Sequence, residues 1–524
     1  MTRRATEVVG APPLHPSQRE AAALRAVPSW RTQITADVAV ALALLGSGIV
    51  VWVLSLDAIA LDDMTDVGLA SALPLGIWVS FGLVTAGCAV AWRTGRSALM
   101  AAGVLSTILV LHGLGVLGEP TMRFGVSWQH VGVADYIATH GSVDPRIDAY
   151  FNWPGFFVLT AFLSDVAGLE NTEPIARYAP LFYNAMYLLP LLVIGRALFE
   201  DARLIWLGIW LFFVNNWIGQ DYYSPQGLGL FMYLVVLAVL LRWFKSAPPA
   251  FRPGQRWCRL REWLAARATR IADAPSEPAQ RVVLIGAIVL VMAAVVGSHQ
   301  LTPFAIVAAV TALVLIEWCG LRTLPVALLL IALLWTAYLA TTYLDGHLST
   351  LAQEVGAVDT SLDRNVAGRL HGSAGHELVV RLRLAAAALL WLAAAGGFVR
   401  GARRGYARPA VAVLAVAPFP LLGLQSYGGE VALRIALFAL PFMAFLAASL
   451  VVPATKAPVS IKASALLACV ATVLVMLFPF TRYGNERMDY YSPAELAGVR
   501  ALYRLAPHGS FLVGGTDALP WRYT

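Results

Sequence analysis

Charged residues are scarce in this sequence. They make up 13% of the 524 residues, whereas 59% are hydrophobic and the mean hydropathy is +0.69. Because a soluble domain carries about a quarter charged residues, this composition excludes a soluble chain and indicates an integral membrane protein. The formal net charge of +7 lies largely in loops on one predicted side, as the positive-inside rule requires. We therefore expect no nucleic-acid partner.

Cysteine is also rare, and the four that occur are Cys88, Cys258, Cys319 and Cys469. No two have the spacing of metal ligands, so the pattern argues against a metal site and predicts inert packing residues. A cleavable signal peptide is not evident either, because the first apolar run begins near Ile34, after a basic, Pro-containing tail. We predict that residues 1–33 form a disordered cytoplasmic tail.

Long apolar stretches dominate the rest of the chain. A membrane-spanning helix needs about 20 residues, and the run 154–168 is too short to span comfortably, so we predict a juxtamembrane or re-entrant helix there. The sequence predicts an all-α polytopic fold with thirteen transmembrane helices. These stretches lie near residues 34–56, 69–92, 97–117, 176–197, 202–219, 226–244, 281–298, 301–318, 323–343, 380–399, 409–426, 432–452 and 463–480.

The distribution of charge predicts the topology. With the N-terminus in the cytoplasm, every inner loop is basic or balanced, above all the loop 244–281, and the outer segments collect the acids. The C-terminus then lies outside the plasma membrane. The bundle covers residues 34–480 and carries external loops at 119–175 and 344–378, and the chain ends in a small or truncated external segment, 481–524.

Two shorter patterns accompany this topology. In the basic loop, RWCRLREWLAARATRIA is consistent with an interfacial helix, although a solvated orientation anchor explains it better. In the C-terminal segment, Ser492 followed by Glu495 predicts a helix with a capping box. The stretch SFLVGG at 510–515 predicts a strand.

The segment 119–168 is unusually polar for a chain this apolar. Its middle, HVGVADYIATHG, predicts an amphipathic helix with Val131, Val133, Tyr136 and Ile137 available to the membrane side. Its end, DAYFNWPGFF, places aromatic rings beside polar groups, as is typical of a membrane–water boundary. A loop this long and polar indicates a working site more than a connector.

This order of amphipathic helix, glycine, polar turn, Asp-x-Tyr, aromatic-Pro and short apolar helix resembles the first external loop of the GT-C glycosyltransferases. Those polytopic enzymes move sugars from polyprenyl-phosphate carriers and include the protein mannosyltransferase and aminoarabinose transferase families. The resemblance is best over residues 119–200. It implies a GT-C-like bundle and transfer of a sugar at the outer face of the plasma membrane, to an envelope glycan or a glycoprotein.

The resemblance also implies an acidic catalytic residue in this loop. Many of those enzymes carry an acidic pair just before the amphipathic helix, whereas this chain has Val126, Ser127 and Trp128 there. The candidates for the base are therefore the neighbouring acids of the loop, which we rank in the order Glu119, Asp148 and Asp135. Some relatives use a divalent cation, but no spaced ligand cluster identifies one here, so the cofactor is unknown.

The other outer turns carry further polar residues. A lipid-linked phosphate needs a cation, and arginine suits it because the guanidinium donates two parallel hydrogen bonds. Arg434 is the first choice, with Glu430 one turn before it as an ion-pair partner. The predicted substrate-binding residues are Arg434, Glu430, Arg123, Arg146, His130, Asp221, Tyr222, His299 and Gln300.

Each of these residues also has a structural explanation, such as an interfacial aromatic anchor, a helix cap or an internal ion pair. The expected partners are membrane lipid, a polyprenyl-phosphate sugar donor and a glycan or protein acceptor. Two other classes compete with an enzyme. A transporter would show ionisable groups near the bilayer midplane and an inverted repeat, and neither is clear here. A non-catalytic envelope-assembly protein would scatter its polar outer residues.

Overall fold

The computed structural model describes residues 36–246, 271, 276–354, 356, 371–423, 430–452, 461–507, 509–510, 512–514 and 519–522. Within these ranges every regular element is a helix, and only two isolated bridges pair extended residues. The all-α prediction is therefore confirmed for the described chain. The predicted tail, most of the basic loop 244–281 with Cys258, and most of the stretch 355–370 lie outside the described residues.

In the described chain seventeen α-helices have eight residues or more. They are α1 Ala36–Ser55, α2 Leu75–Thr94, α3 Ser97–His112, α4 Gly125–His140, α5 Gly155–Val166, α6 Glu173–Leu198, α7 Ala202–Asn215, α8 Pro225–Trp243, α9 Pro278–Ser298, α10 Thr302–Leu315, α11 Leu324–Tyr338, α12 Thr341–Glu354, α13 Ala374–Arg403, α14 Pro409–Val416, α15 Val431–Val451, α16 Ile461–Tyr483 and α17 Pro493–Leu505.

The apolar helices divide into long and short ones. In the described chain, eight are long and apolar enough to cross a membrane, and α11 with the start of α12 forms a ninth candidate that is bent by 87°. The helices α3, α7 and α10, and the segment of α14, are apolar but shorter. A polytopic membrane protein is thus supported, whereas the count of thirteen is not established. Helix α5 has 12 residues, about 18 Å, which is less than the thickness of about 30 Å of a hydrocarbon core.

The ends of the helices form two clusters, which are held by contacts between distant segments. One cluster joins the C-termini of α3, α7, α9 and α16 to the N-termini of α6, α8, α10, α13 and α15, and we call it the polar end. The opposite end is tied by side chains that donate to backbone carbonyls of neighbouring helices. These bonds run from Trp92 to Arg203, from Lys245 to Ala197 and from Arg408 to Leu198, at 2.9–3.1 Å.

Helix α4 forms where the amphipathic helix was predicted, but it faces the protein. Val131 and Val133 are 0% exposed and Ile137 is 8% exposed. The prediction that these residues lie on the membrane side is wrong, because α4 packs against α5 and α6 and buries that face. The apolar stripe therefore belongs to the core, which contains Phe151 and Phe157 as well.

The C-terminal segment contains one predicted element. The Ser492 side chain accepts from the backbone N–H of Glu495 and the Glu495 side chain accepts from that of Ser492, so the predicted capping box of α17 is confirmed. The predicted strand is not seen at residues 510 and 512–514, the part of it that the structure describes. A strand needs a partner for its backbone hydrogen bonds, and the described chain has no sheet to provide one.

Candidate functional site

Two cavities adjoin each other at the polar end. Cavity A has a volume of about 310 Å³, at the lower end of the roughly 300–1,000 Å³ that ligand pockets have. The N-termini of α8 and α15, the C-terminus of α9 and one face of α4 form its walls. Its polar lining consists of His130, Tyr150, Tyr222, Ser224, Gln226, Ser298, His299, Gln300, Glu430 and Arg434.

Cavity B has a volume of about 320 Å³ and lies between α7, α13 and α16. Val126, Tyr222 and Glu430 line both cavities and so form the wall between them. The Glu430 side chain therefore borders both cavities. The other polar residues around cavity B are Gln220, Arg383, Arg482, Asn485 and Asp489.

Arg434 and Glu430 form an ion pair beside this wall. Arg434 is 5% exposed, and its guanidinium donates to Glu430 Oε2 at 2.7 Å and to the amide oxygen of Gln220. The pair forms because residues four apart lie on the same helical face. The predicted partnership is present, while the binding of a phosphate remains a prediction. The N-terminus of α8, capped by Ser224, adds positive partial charge to cavity A.

His130 and His299 line cavity A in complementary tautomers. Nδ1 of His130 donates to the Tyr223 carbonyl at 2.8 Å, so Nε2 carries the lone pair. Nδ1 of His299 accepts from the N–H of Thr302 at 3.1 Å, so Nε2 carries the hydrogen. Burial lowers the pKa of His130 to about 4 and that of His299 to about 3. Both rings are therefore neutral near pH 7, one as an acceptor and the other as a donor.

Asp221 is buried and contacts three polar side chains from other parts of the chain. Its carboxylate lies 2.7 Å from the Arg482 guanidinium and 3.5 Å from the His112 ring, and it accepts from the Asn184 amide. Asp221 and Arg482 are each 2% exposed. The nearby guanidinium outweighs the effect of burial and holds the pKa of Asp221 well below its ordinary value. Through these contacts Asp221, which follows α7, connects α3, α6 and α16. Its position is therefore explained by a structural role.

Glu119 and Arg123 join a second buried cluster with the turn after α16. Nε of Arg123 donates to Glu486 at 2.8 Å, and Asp489 lies 3.8 Å from the same guanidinium. Burial raises the pKa of Glu486 to about 7. Burial and the neighbouring Glu486 carboxylate raise the pKa of Glu119 well above its ordinary range. One arginine thus faces three carboxyl groups, which favours retention of a proton among them at neutral pH.

The remaining predicted residues organise the external loop. Asp135 accepts from the N–H and hydroxyl of Thr172, at 2.8 and 2.9 Å, and burial raises its pKa. Asp148 caps the turn 149–152 through the Tyr150 N–H at 2.9 Å. Arg146 is 81% exposed and pairs with Asp144. In the described chain none of Glu119, Asp135 and Asp148 is among the residues lining cavity A or cavity B.

Several lining residues were missed by the sequence analysis. Gln226 closely follows Asp221 and Tyr222 in the sequence but was not selected with them. Tyr150 and Trp153 lie in the aromatic stretch that was interpreted as typical of a membrane–water boundary. Arg482, Asn485 and Asp489 follow directly on the last apolar run, TRYGNERMD. These polar residues directly after a predicted span could have indicated a site. The sequence analysis assigned them to the external C-terminal segment and did not select them as site residues.

A protein site for a divalent cation needs several oxygen or nitrogen ligands close together. Among the described residues no three His, Cys, Asp or Glu side chains come together as ligands. The described residues therefore do not provide a three-ligand protein site for a divalent cation.

Comparisons with known proteins find similarity in structure alone. No protein-family model and no curated protein matches the sequence. Three crystal structures of the oligosaccharyltransferase of Archaeoglobus fulgidus match. The form tethered with an acceptor peptide containing the NVT sequon has a TM-score of 0.46 and 14% identity, over 79% of this chain and 58% of that one.

The complex of the same enzyme with Zn and sulfate has a TM-score of 0.42 and 15% identity, over 78% of this chain and 56% of that one. The apo form has a TM-score of 0.41 and 14% identity, over 79% of this chain and 58% of that one. This chain thus spans less than two thirds of the length of those enzymes. Those oligosaccharyltransferases are GT-C-type glycosyltransferases, the class that the first external loop of this chain resembles. At these TM-scores the likeness is limited to the general arrangement of helices.

Proposed function

We propose that this protein is a membrane glycosyltransferase that moves a sugar from a polyprenyl-phosphate donor to an acceptor hydroxyl at the outer face of the plasma membrane. One observation supports this most strongly. Two cavities meet at a single carboxylate, Glu430, with the Arg434 guanidinium beside it. A transferase must hold two substrates on either side of the reacting atoms, and this arrangement provides a place for each.

Cavity A is assigned to the donor. A phosphate at the wall would bind Arg434 through two parallel hydrogen bonds and would compete with Glu430 and Gln220 for that guanidinium. The N-terminus of α8 supports the same negative charge.

Cavity B is assigned to the acceptor, and Glu430 to the general base. The acceptor oxygen attacks the anomeric carbon, and the bond from that carbon to the phosphate oxygen breaks with its electron pair leaving on the polyprenyl phosphate. The hydroxyl proton passes to the Glu430 carboxylate. Binding of the donor phosphate to Arg434 would release Glu430 from its ion pair, so the base becomes available once the donor is in place.

The three acids predicted from the external loop remain alternatives for the base. Two of them have structural contacts: Asp135 accepts a hydrogen bond from Thr172, and Asp148 caps the turn 149–152. Asp489 borders cavity B and is a further candidate. The assignment to Glu430 predicts that only its replacement removes transfer while binding of both substrates remains.

A transporter is less consistent with the placement of charge. In the described chain the buried ionic side chains are Glu119, Arg123, Asp221, Arg434, Arg482 and Glu486, and all of them lie at the polar end. A transport pathway would place such groups near the middle of the bilayer. An envelope-assembly protein without chemistry has no need for two adjoining cavities.

The test is transfer by the purified protein in lipid nanodiscs. Short-chain polyprenyl phosphates carrying labelled sugars are supplied with extracted envelope glycans and peptides, and products are identified by mass spectrometry, with and without a chelator. The proposal expects a new glycosidic bond and release of polyprenyl phosphate, both abolished by Glu430→Gln. The same protein is also placed in sealed proteoliposomes, where movement of intact donor from one leaflet to the other without a new bond would identify a transporter instead.

A further inference from the structure

Cavity A contains two buried polar groups without protein partners. Gln226 lies in the first turn of α8 and is 1% exposed, and neither its amide nitrogen nor its amide oxygen has a hydrogen-bond partner. His130 is also 1% exposed, and its Nε2 has no partner either. The two residues come from helices far apart in the sequence and line the same cavity.

Such groups are costly to a folded protein unless something satisfies them. A buried amide that lacks a partner destabilises the native state, and most buried polar groups are therefore hydrogen-bonded. Where they line a cavity of ligand size, the simplest explanation is a ligand that provides the missing partners. Three polar atoms of residues that line cavity A, two of them acceptors and one a donor, then indicate what the ligand must offer.

The amide of Gln226 can accept from one hydroxyl and donate to a neighbouring one, which is how side-chain amides bind sugars with adjacent hydroxyl groups. The lone pair on Nε2 of His130 accepts from a third hydroxyl. Tyr150 and Trp153 provide aromatic surface to the same cavity, and aromatic rings pack against the apolar face of a sugar ring.

The electrostatic character of the cavity restricts the ligand further. Apart from the Glu430–Arg434 pair at one wall, the lining carries no charge near neutral pH, because burial keeps both histidines neutral. A charged substituent on the sugar would be desolvated here without a counter-ion, which is unfavourable. The lining therefore favours a ring whose substituents are hydroxyl groups.

We propose that cavity A recognises the sugar of the lipid-linked donor, and that the sugar ring held there is uncharged and is bound by the Gln226 amide and by Nε2 of His130. The inference rests on the proposed function for the position of the phosphate at Arg434. It goes further by naming the sugar class and by assigning specificity to Gln226, which touches neither phosphate nor acceptor in that scheme.

Binding tests the subsite without requiring turnover. The purified protein in nanodiscs is titrated with a short-chain polyprenyl phosphate, and with the same lipid bearing a neutral hexose, a 4-amino sugar or a uronic acid. We expect the neutral sugar to tighten binding about tenfold over the sugar-free lipid, since each hydrogen bond contributes modestly. Gln226→Leu should remove this gain and leave the binding of the sugar-free lipid unchanged.

Thermal unfolding separates recognition from a structural role. Gln226→Leu removes unpartnered polar atoms, so the ligand-free variant should melt at the same temperature as the original protein or higher. Tyr233→Phe is the matched control, because the Tyr233 hydroxyl is likewise buried and unpartnered on α8 but is not among the residues lining cavity A. This control should keep the full preference for the neutral sugar.

The outcomes are distinct from those of the proposed function. A preference for a charged sugar, or equal binding of lipids with and without sugar, overturns the inference even if transfer occurs. Destabilisation of the ligand-free Gln226→Leu protein together with an unchanged sugar preference also overturns it. A neutral-sugar preference that depends on Gln226 supports the subsite even if no glycosidic bond is formed, in which case the proposed transfer fails and the subsite remains.

Discussion

The Arg482 guanidinium lies 2.7 Å from the Asp221 carboxylate, and each side chain is 2% exposed. Arg482 also donates to the Asn216 carbonyl at 3.2 Å. This pair connects the end of α16 to the turn between α7 and α8, directly beneath the wall that separates the two cavities. Arg482 lines cavity B, and neither residue of the pair lines cavity A. The ion pair therefore fixes the position of one side chain of the candidate site.

Breaking this pair from one side should destabilise the protein strongly. Asp221→Asn leaves the Arg482 charge buried without a counter-ion, and removal of one partner of a buried pair costs about 3–5 kcal/mol. We expect a clear fall in the melting temperature of the detergent-solubilised protein. The double variant Asp221→Asn with Arg482→Met should recover part of the loss. If Asp221→Asn melts like the original protein, the pair is not what holds this end together.

Replacement of Arg434 should impair use of the donor. Arg434→Lys keeps the charge but loses the two-pronged geometry, so transfer should fall about tenfold, and Arg434→Ala should lower it about a hundredfold. Initial rates are measured over a range of donor concentrations, beside thermal stability. Arg381→Ala is the matched control, because Arg381 pairs with Glu377 in the same i,i+4 geometry and is 70% exposed. Full transfer by a folded Arg434→Ala protein would exclude the phosphate role.

The identity of the base is decided by four isosteric variants. If Glu430 takes the proton, Glu430→Gln should lose transfer by about a hundredfold or more with both substrates still bound, as expected for loss of a general base. Glu119→Gln, Asp135→Asn and Asp148→Asn should then keep most of the activity of whatever fraction folds. The reverse pattern, with activity lost in one of these three and kept in Glu430→Gln, would restore the assignment made from the resemblance.

The acids around Arg123 should make stability depend on pH. The pKa of Glu486 rises from 4.5 to about 7 on folding because of burial, and that of Glu119 rises in the same direction. The folded state then binds more protons than the unfolded state, so stability is fully present below about pH 4.5 and falls as pH rises through 7. Melting temperatures from pH 4.5 to 8 should decline, and Glu119→Gln should flatten this slope. An unchanged slope in that variant would place the titration elsewhere.

The sequence predicted the all-α class and the position of several helices because hydropathy depends on local composition. Apolar runs such as 226–244 and 432–452 became the helices Pro225–Trp243 and Val431–Val451, and the pair Glu430 and Arg434 could be predicted from a spacing of four. The turns that carry Tyr222 and His299 were found in the same way, since polar residues between apolar runs are visible in the sequence. These features are determined by residues within a few positions of one another.

Only the tertiary structure decided which polar residues line a cavity and which support the fold. Asp221 has a structural role because it pairs with Arg482, which lies 261 positions later in the chain. Glu119 is buried beside the turn that follows α16. Gln226 and His130 line the same cavity because the fold brings the start of α8 next to α4. The apolar stripe of α4 was predicted to face the membrane, but in the structure α5 and α6 pack against it. Burial and pairing across the fold depend on packing between distant segments, and no local pattern encodes that.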